Sequence, residues 1–267
     1  MSVYKDSVCI ITGASSGIGR ELAMLMAADG ARVILAARNA ERLKTIAEAC
    51  RKLGGEAHVV PTDVADKAAC QRLIEETVET YGGIDMLVNN AGISMWARLD
   101  EVKDLDYLEK IMQINFFGSM YCTYYALPHL KKSRGRIVAI SSLTGKTGVP
   151  TRTVYAASKH AMAGFFDSLR IELMDNEVSV TTIYPGFVST EVRQRALGAD
   201  GNPLGEDPVE KGNAMTAEEC AQIIKEAAAN RTREVVMTMK AKAGLWLKLI
   251  APGIVDKIAK KTIEEGK

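Results

Sequence analysis

Short apolar runs alternate with amphipathic stretches along this chain. Ser7-Val-Cys-Ile-Ile11 is a continuous apolar run, the pattern of a strand buried on both faces. An amphipathic stretch follows to about Asp29 and stops at Gly30, as a helix would. The alternation then repeats. Ala31–Ala37 is strand-like, about Glu41 to Leu53 is helical and ends at Gly54-Gly55, and Ala57–Pro61 is strand-like again. A helix to about Tyr81, broken by Gly82-Gly83, precedes a fourth strand at Ile84–Val88. Four strands alternating with helices predict an α/β protein with a parallel, doubly wound sheet.

The second half continues the pattern less regularly. A loop from Ile93 to Asp104 carries Met95, Trp96 and Leu99, and a long helix is expected from about Leu105 to Leu130. Arg136–Ile140 reads as a buried strand, a helix begins near Thr153, and Val178–Tyr184 is a sixth strand. Residues 194–215 hold Gly198, Gly201, Gly205, Gly212, Pro203 and Pro208, the composition of a mobile lid over a substrate. Thr216-Ala-Glu-Glu219 opens a helix with a capping box, and Arg233–Met237 is the seventh strand. Residues 1–239 thus form the domain proper. Residues 240–267 extend it with a basic, amphipathic tail that Pro252-Gly253 must bend.

At 267 residues and 47% hydrophobic content the chain can bury one large core. A net charge of +1 gives no reason to expect nucleic acid. Five scattered cysteines form no C-x-x-C, and Cys9 sits in the first strand as a small core residue. His58, His129 and His160 lack metal-ligand spacing, so no metal is expected. No charged-then-apolar leader opens the chain and no apolar run approaches a membrane span. A reduced, cytoplasmic setting is the expectation. The tail qualifies it: Leu245, Trp246, Leu247, Leu249 and Ile250 are ringed by lysines. That pattern suits a helix packed on its own domain or a sister subunit, completing the substrate side or a subunit contact, or one lying on a membrane surface.

Two stretches carry chemistry. Between the first strand and helix lies Thr12-Gly-Ala-Ser-Ser-Gly-Ile-Gly-Arg20, with glycines at 13, 17 and 19. Missing side chains let backbone approach a pyrophosphate, and the helix N-terminus presents N–H groups to it. Gly13, Ser15, Ser16, Gly17, Ile18 and Gly19 are therefore candidate cofactor contacts. An NAD site usually has an acid about 20 residues beyond such a motif. Here the second strand ends Ala37-Arg38, and Arg38 can pair with a 2′-phosphate. NADP(H) is preferred, with NAD(H) the alternative if Arg38 is merely solvated.

The other stretch joins Ser142, at a strand end, to Tyr155 and Lys159, which are four apart and share a helix face. Such a pair alone is common on solvated helices. With a serine thirteen residues upstream it points to acid–base work: an ammonium favours the phenolate, and the tuned phenol exchanges a proton with a carbonyl or alcohol.

This arrangement resembles the short-chain dehydrogenase/reductase family, and further motifs extend the likeness over roughly residues 6 to 238. The resemblance implies one Rossmann-like domain of seven parallel strands with helices on both faces. It implies that Asp63 and Val64 lie against adenine, although Asp63 would serve equally as cap of the next helix. Asn90, Ala91 and Gly92, in Asn89-Asn-Ala-Gly, line the ribose side. Pro185, Gly186, Val188 and Thr190 hold the nicotinamide amide, and Lys159 its ribose. Asn115 loosens its helix and supports a proton relay, where an unaided reading makes it an ordinary mid-helix polar residue.

Ile140–Lys146 and Gly164–Arg170 look most like the hydroxysteroid dehydrogenase-like branch. The expectation is an NADP(H)-dependent oxidoreductase interconverting a ketone and a secondary alcohol, with a lipophilic small-molecule substrate. The competing readings are a 3-oxoacyl thioester reductase and a catalytically silent dinucleotide-binding regulator. A homodimer or homotetramer through the helices near 105–130 and 155–175 is implied as well.

Overall fold

A computed structural model describes residues 2–206 and 214–264. Seven parallel strands form one sheet in the order β3-β2-β1-β4-β5-β6-β9. They are β1 Val8–Thr12, β2 Arg32–Ala37, β3 Glu56–Pro61, β4 Met86–Asn89, β5 Arg136–Ile140, β6 Ser179–Tyr184 and β9 Glu234–Val236. A small separate pair joins β7 Val188–Ser189 to β8 Met215–Thr216. Ile10 and Ile11 in β1 are both fully buried, because helices cover each face of the sheet. Each such side chain contributes roughly 1.5–3 kcal/mol by leaving water.

The crossovers are α1 Gly17–Ala28, α2 Ala40–Lys52 and α3 Lys67–Tyr81 on the first half. On the second half they are α4 Asp106–Met112, α5 Gly118–Ser133, α6 Thr153–Glu172 and α8 Ala217–Ala229, with the short α7 Glu191–Gln194 after β7. The strand order reverses between β1 and β4, so their C-terminal ends open a crevice at the switch point. Thr12 stitches that point: its hydroxyl donates to the Val88 carbonyl at 3.1 Å and accepts from the Asn90 and Ala91 N–H groups.

Two local departures from the sequence reading matter. The helix expected from Leu105 to Leu130 is two α-helices joined by a π-helical turn, Gln113–Phe117, with Asn115 at its centre. Asp63 does not cap α3. Its carboxylate accepts from the Ala65 N–H in a tight local turn, and Asp66 caps the helix by accepting from Ala68. The expected lid lies partly outside the described residues, at 207–213. Its described part is bonded to the loop after β4, Leu197 N–H to the Ser94 carbonyl and Trp96 N–H to the Leu197 carbonyl.

The tail forms a helix pair, α9 Met239–Ile250 and α10 Pro252–Glu264, bent at the expected Pro252. Lys248 anchors α9 by donating to the Lys146 carbonyl at 2.7 Å. Neither helix contains a buried residue, and Trp246, Leu249 and Ile250 are at least 71% exposed.

Candidate active site

A cavity of about 1310 Å³ runs along the C-terminal ends of the strands. One end is the glycine turn. Gly13 and Gly17 have positive φ, and a Cβ on Gly19 would come within 2.6 Å of both the Gly13 carbonyl oxygen and Asn90 Nδ2. Only bare backbone fits there, so the turn can close against a ligand, as a pyrophosphate cradle requires. The residues present therefore fit a dinucleotide. The cavity wall includes every candidate cofactor contact except Gly19, from Gly13 and Arg38 to Pro185 and Thr190. Asn90 has a second occupation, its amide donating to the Thr12 carbonyl at 2.8 Å.

Midway along, three polar side chains converge from different elements. Ser142 follows β5 and caps a 3₁₀ turn, its oxygen accepting from Thr144 N–H at 3.2 Å. Tyr155 sits in the first turn of α6, one α-helical turn before Lys159. The Lys159 ammonium lies 5.8 Å from the tyrosine ring centre and donates to the Ile140 carbonyl at 2.8 Å. Burial lowers this lysine to about 8.

The tyrosine corrects one expectation. Burial pushes its phenol above the ordinary value, since a phenolate is poorly solvated there; the Arg152 charge and the Ser142 hydroxyl pull it part of the way back. Lys159 is not among the charges that lower it, because that ammonium loses its proton at about 8, before a phenol raised by burial ionises.

Asn115 is fully buried and outside the cavity wall. Its Oδ1 accepts from Ile93 N–H at 2.8 Å, while its Nδ2 donates to the Ile93 carbonyl and to Ser158 Oγ at 2.9 Å. Ser158 in turn donates to the Tyr155 carbonyl at 2.7 Å. Asn115 thus ties the loop after β4 to the first turn of α6.

Other residues in the wall carry no individual role in the sequence reading. Arg42, four residues past Arg38, faces the cavity and pairs with Glu191 of α7 at 3.0 Å; Arg195 meets the same carboxylate. Ser94 and Arg152 line the middle, and Leu245, Val255, Ile258 and Ile263 of the tail close the far end. Arg152 had a readable signal, lying one turn before Tyr155 on the same helix. The tail was expected to complete the substrate side or a subunit contact, and Leu245, Val255, Ile258 and Ile263 line the cavity.

Comparison with known proteins gives concordant matches. A family model described as short chain dehydrogenase matches residues 7–200. Dehydrogenase/reductase SDR family member 7B of Rattus norvegicus is 37% identical over 266 residues, spanning 95% of this chain and 80% of its own. The 11-beta-hydroxysteroid dehydrogenase-like 4A protein of Arabidopsis thaliana is 38% identical over 249 residues, spanning 93% and 82%. A short chain dehydrogenase/reductase from Burkholderia phymatum, solved in complex with NAD, superposes with a TM-score of 0.84 at 26% identity. That match covers 96% of this chain and 97% of the other. An alcohol dehydrogenase from Thermococcus sibiricus, complexed with 5-hydroxy-NADP, shares the fold at a TM-score of 0.74 and 24% identity, covering 86% and 95%.

Proposed function

This chain belongs to the short-chain dehydrogenase/reductase family, and from that premise we propose that it is an NADP(H)-dependent enzyme interconverting a lipophilic ketone and its secondary alcohol. The observation that carries the reading is one continuous cavity. It links a glycine cradle to Ser142, Tyr155 and Lys159, then to an apolar wall from the tail. Nicotinamide chemistry in this fold moves a hydride to or from carbon. The chain's own residues handle the oxygen. Tyr155 gives its phenolic proton to the carbonyl oxygen in reduction and takes one from the hydroxyl in oxidation. Ser142 donates a hydrogen bond to the same oxygen. Lys159 supplies positive charge behind the phenol and holds the nicotinamide ribose, and Asn115 keeps the surrounding loop and helix in register, supporting proton exchange.

Arg38 supports the preference for NADP(H), since the β2 end offers it and no carboxylate, and Arg42 adds a second guanidinium in the same part of the wall. The relatives named 11-beta-hydroxysteroid dehydrogenase-like support a lipophilic substrate. Leu245, Val255, Ile258 and Ile263 support it too. Residues 1–239 serve as the catalytic domain, with the 194–215 segment acting as a lid. The outer face of α9–α10, with Trp246, Leu249 and Ile250 among lysines, serves to touch an anionic membrane surface. Tyr124 and Ile171, exposed on α5 and α6, suit a homo-oligomer contact.

The test is a panel of lipophilic ketones and 3-oxoacyl thioesters with NADPH and NADH, followed by nicotinamide absorbance. Preferred oxidation of NADPH by ketones is expected. Tight cofactor binding without turnover on any member would refute catalysis in favour of a silent regulator.

A further inference from the structure

Arg152 occupies the N-terminal boundary of α6, one turn before Tyr155, and is only 7% exposed. A guanidinium keeps its charge at every pH a protein meets. Two neighbours clamp it. Its guanidinium carbon lies 4.1 Å from the centre of the Trp96 ring, and Nη1 donates to Ser94 Oγ at 2.7 Å. Ser94 is itself buried, and its backbone is held by Leu197. The clamp sets the guanidinium carbon 5.8 Å from the Tyr155 ring centre, the same separation as the Lys159 ammonium.

We propose that Arg152 is a positioning residue for the acid–base step, a permanent charge held by Trp96 and Ser94 that stabilises the Tyr155 phenolate. The proposal rests on the role given to Tyr155 above. The two cations divide the work by chemistry. The Lys159 ammonium loses its proton at about 8, so its help fades in mildly alkaline solution. Arg152 does not titrate, and its charge persists. This fits its place as the strongest opposing influence on a phenol that burial pushes up.

Among the described residues, little else charged faces the tyrosine. On α4, which packs against it, the inward residues are Tyr107, Leu108 and Ile111, and burial keeps the Tyr107 phenol protonated. Asp106, Glu109 and Lys110 of that helix are exposed. In the loop after β4, Arg98 is exposed and engaged by Asp100 and Glu101. Among the described residues, the cavity wall has one acid, Asp63, at the end of β3.

The experiment is a spectroscopic titration needing neither substrate nor cofactor. Phenolate absorbance is followed against pH, with Tyr155→Phe subtracted to isolate Tyr155. Arg152→Met should move that ionisation upward by about one pH unit or more, the scale of one charge about 6 Å away at an effective dielectric constant near 20. Arg152→Lys should restore most of the difference. Arg152→Gln keeps a donor for Ser94 and should shift like the methionine variant, serving in its place if that variant does not fold. The same displacement should appear in the pH dependence of kcat for alcohol oxidation. An unmoved Tyr155 in the neutral variants would overturn the proposal. So would a lysine variant indistinguishable from them. Should the shift appear in a protein that turns over no carbonyl, the enzymatic reading fails and the electrostatic one stands.

Discussion

Lys159→Met should make the cofactor-free protein more stable at neutral pH and less stable in strong alkali. Lys159 is 4% exposed, and burial lowers its ammonium from an ordinary 10.5 to about 8. Each pH unit between those values is worth about 1.4 kcal/mol, so at pH 7 the buried charge costs the fold about 3 kcal/mol. The sign follows from proton counting. Below about 8 both folded and unfolded chains carry the proton, and the full cost is present. Between about 8 and 10.5 the unfolded chain holds more protons, so the parent's stability rises with pH through that window. Above it neither state is charged, and the cost is gone. Methionine removes the charge at every pH but leaves the Ile140 carbonyl without its 2.8 Å donor, a loss of roughly 1–2 kcal/mol. The variant should therefore exceed the parent by about 1–2 kcal/mol at pH 7 and fall below it by a similar amount near pH 10.5. Urea unfolding of both proteins at the two pH values measures this, and effects of all other titrating groups cancel in the difference. A stability difference independent of pH would refute the argument from burial.

Four further outcomes are expected. Tyr155→Phe should bind NADPH as the parent does, by fluorescence titration, yet lose at least about a hundredfold in kcat, because the ring still packs but carries no proton. Arg38→Asp should reverse the ratio of kcat/KM between NADPH and NADH; a parent with no preference would already contradict the role given to Arg38. Gly19→Ala should abolish cofactor binding and lower the melting temperature, since its Cβ would lie 2.6 Å from the Gly13 carbonyl; unchanged binding would show that the turn can relax. Ending the chain after Thr238 should lower the melting temperature only modestly, as α9 and α10 contain no fully buried residue. It should also raise KM for lipophilic ketones and abolish sedimentation with anionic vesicles. A change in oligomer size instead would assign that face to a sister subunit.

The sheet was legible because its strands are buried on both faces and read as unbroken apolar runs, Val8–Thr12 being the clearest. Glycines marked the ends of α1, α2 and α3; Gly82, at φ 80°, is the left-handed residue that stops α3. The glycine cradle and the serine, tyrosine and lysine could be found because each lies within a short stretch of chain. Contacts between distant stretches could not. Arg42 with Glu191, Ser94 with Arg152, and Lys248 with the Lys146 carbonyl each join segments at least 58 residues apart. The direction of the Tyr155 ionisation was misjudged for a related reason. Sequence spacing puts a lysine beside the phenol, but the depth of the site decides what that lysine does.

The π-helical turn at Gln113–Phe117 has a genetic consequence. Buried positions run in one stripe down the whole rod, from Tyr107 and Ile111 through Asn115 to Cys122, Ala126 and Leu130. A π turn takes up more chain per revolution than an α turn. Deleting a single codon anywhere within it could restore an uninterrupted α-helix and improve local hydrogen bonding. Because the widened turn already takes up that extra residue, Cys122 and Leu130 would keep their face, while the bulge that presents Asn115 to the Ile93 backbone would be lost. The segment should therefore tolerate loss of one residue in folding while losing the Asn115 tie between the loop after β4 and α6, a split that deletion scanning read separately by stability and by activity would reveal.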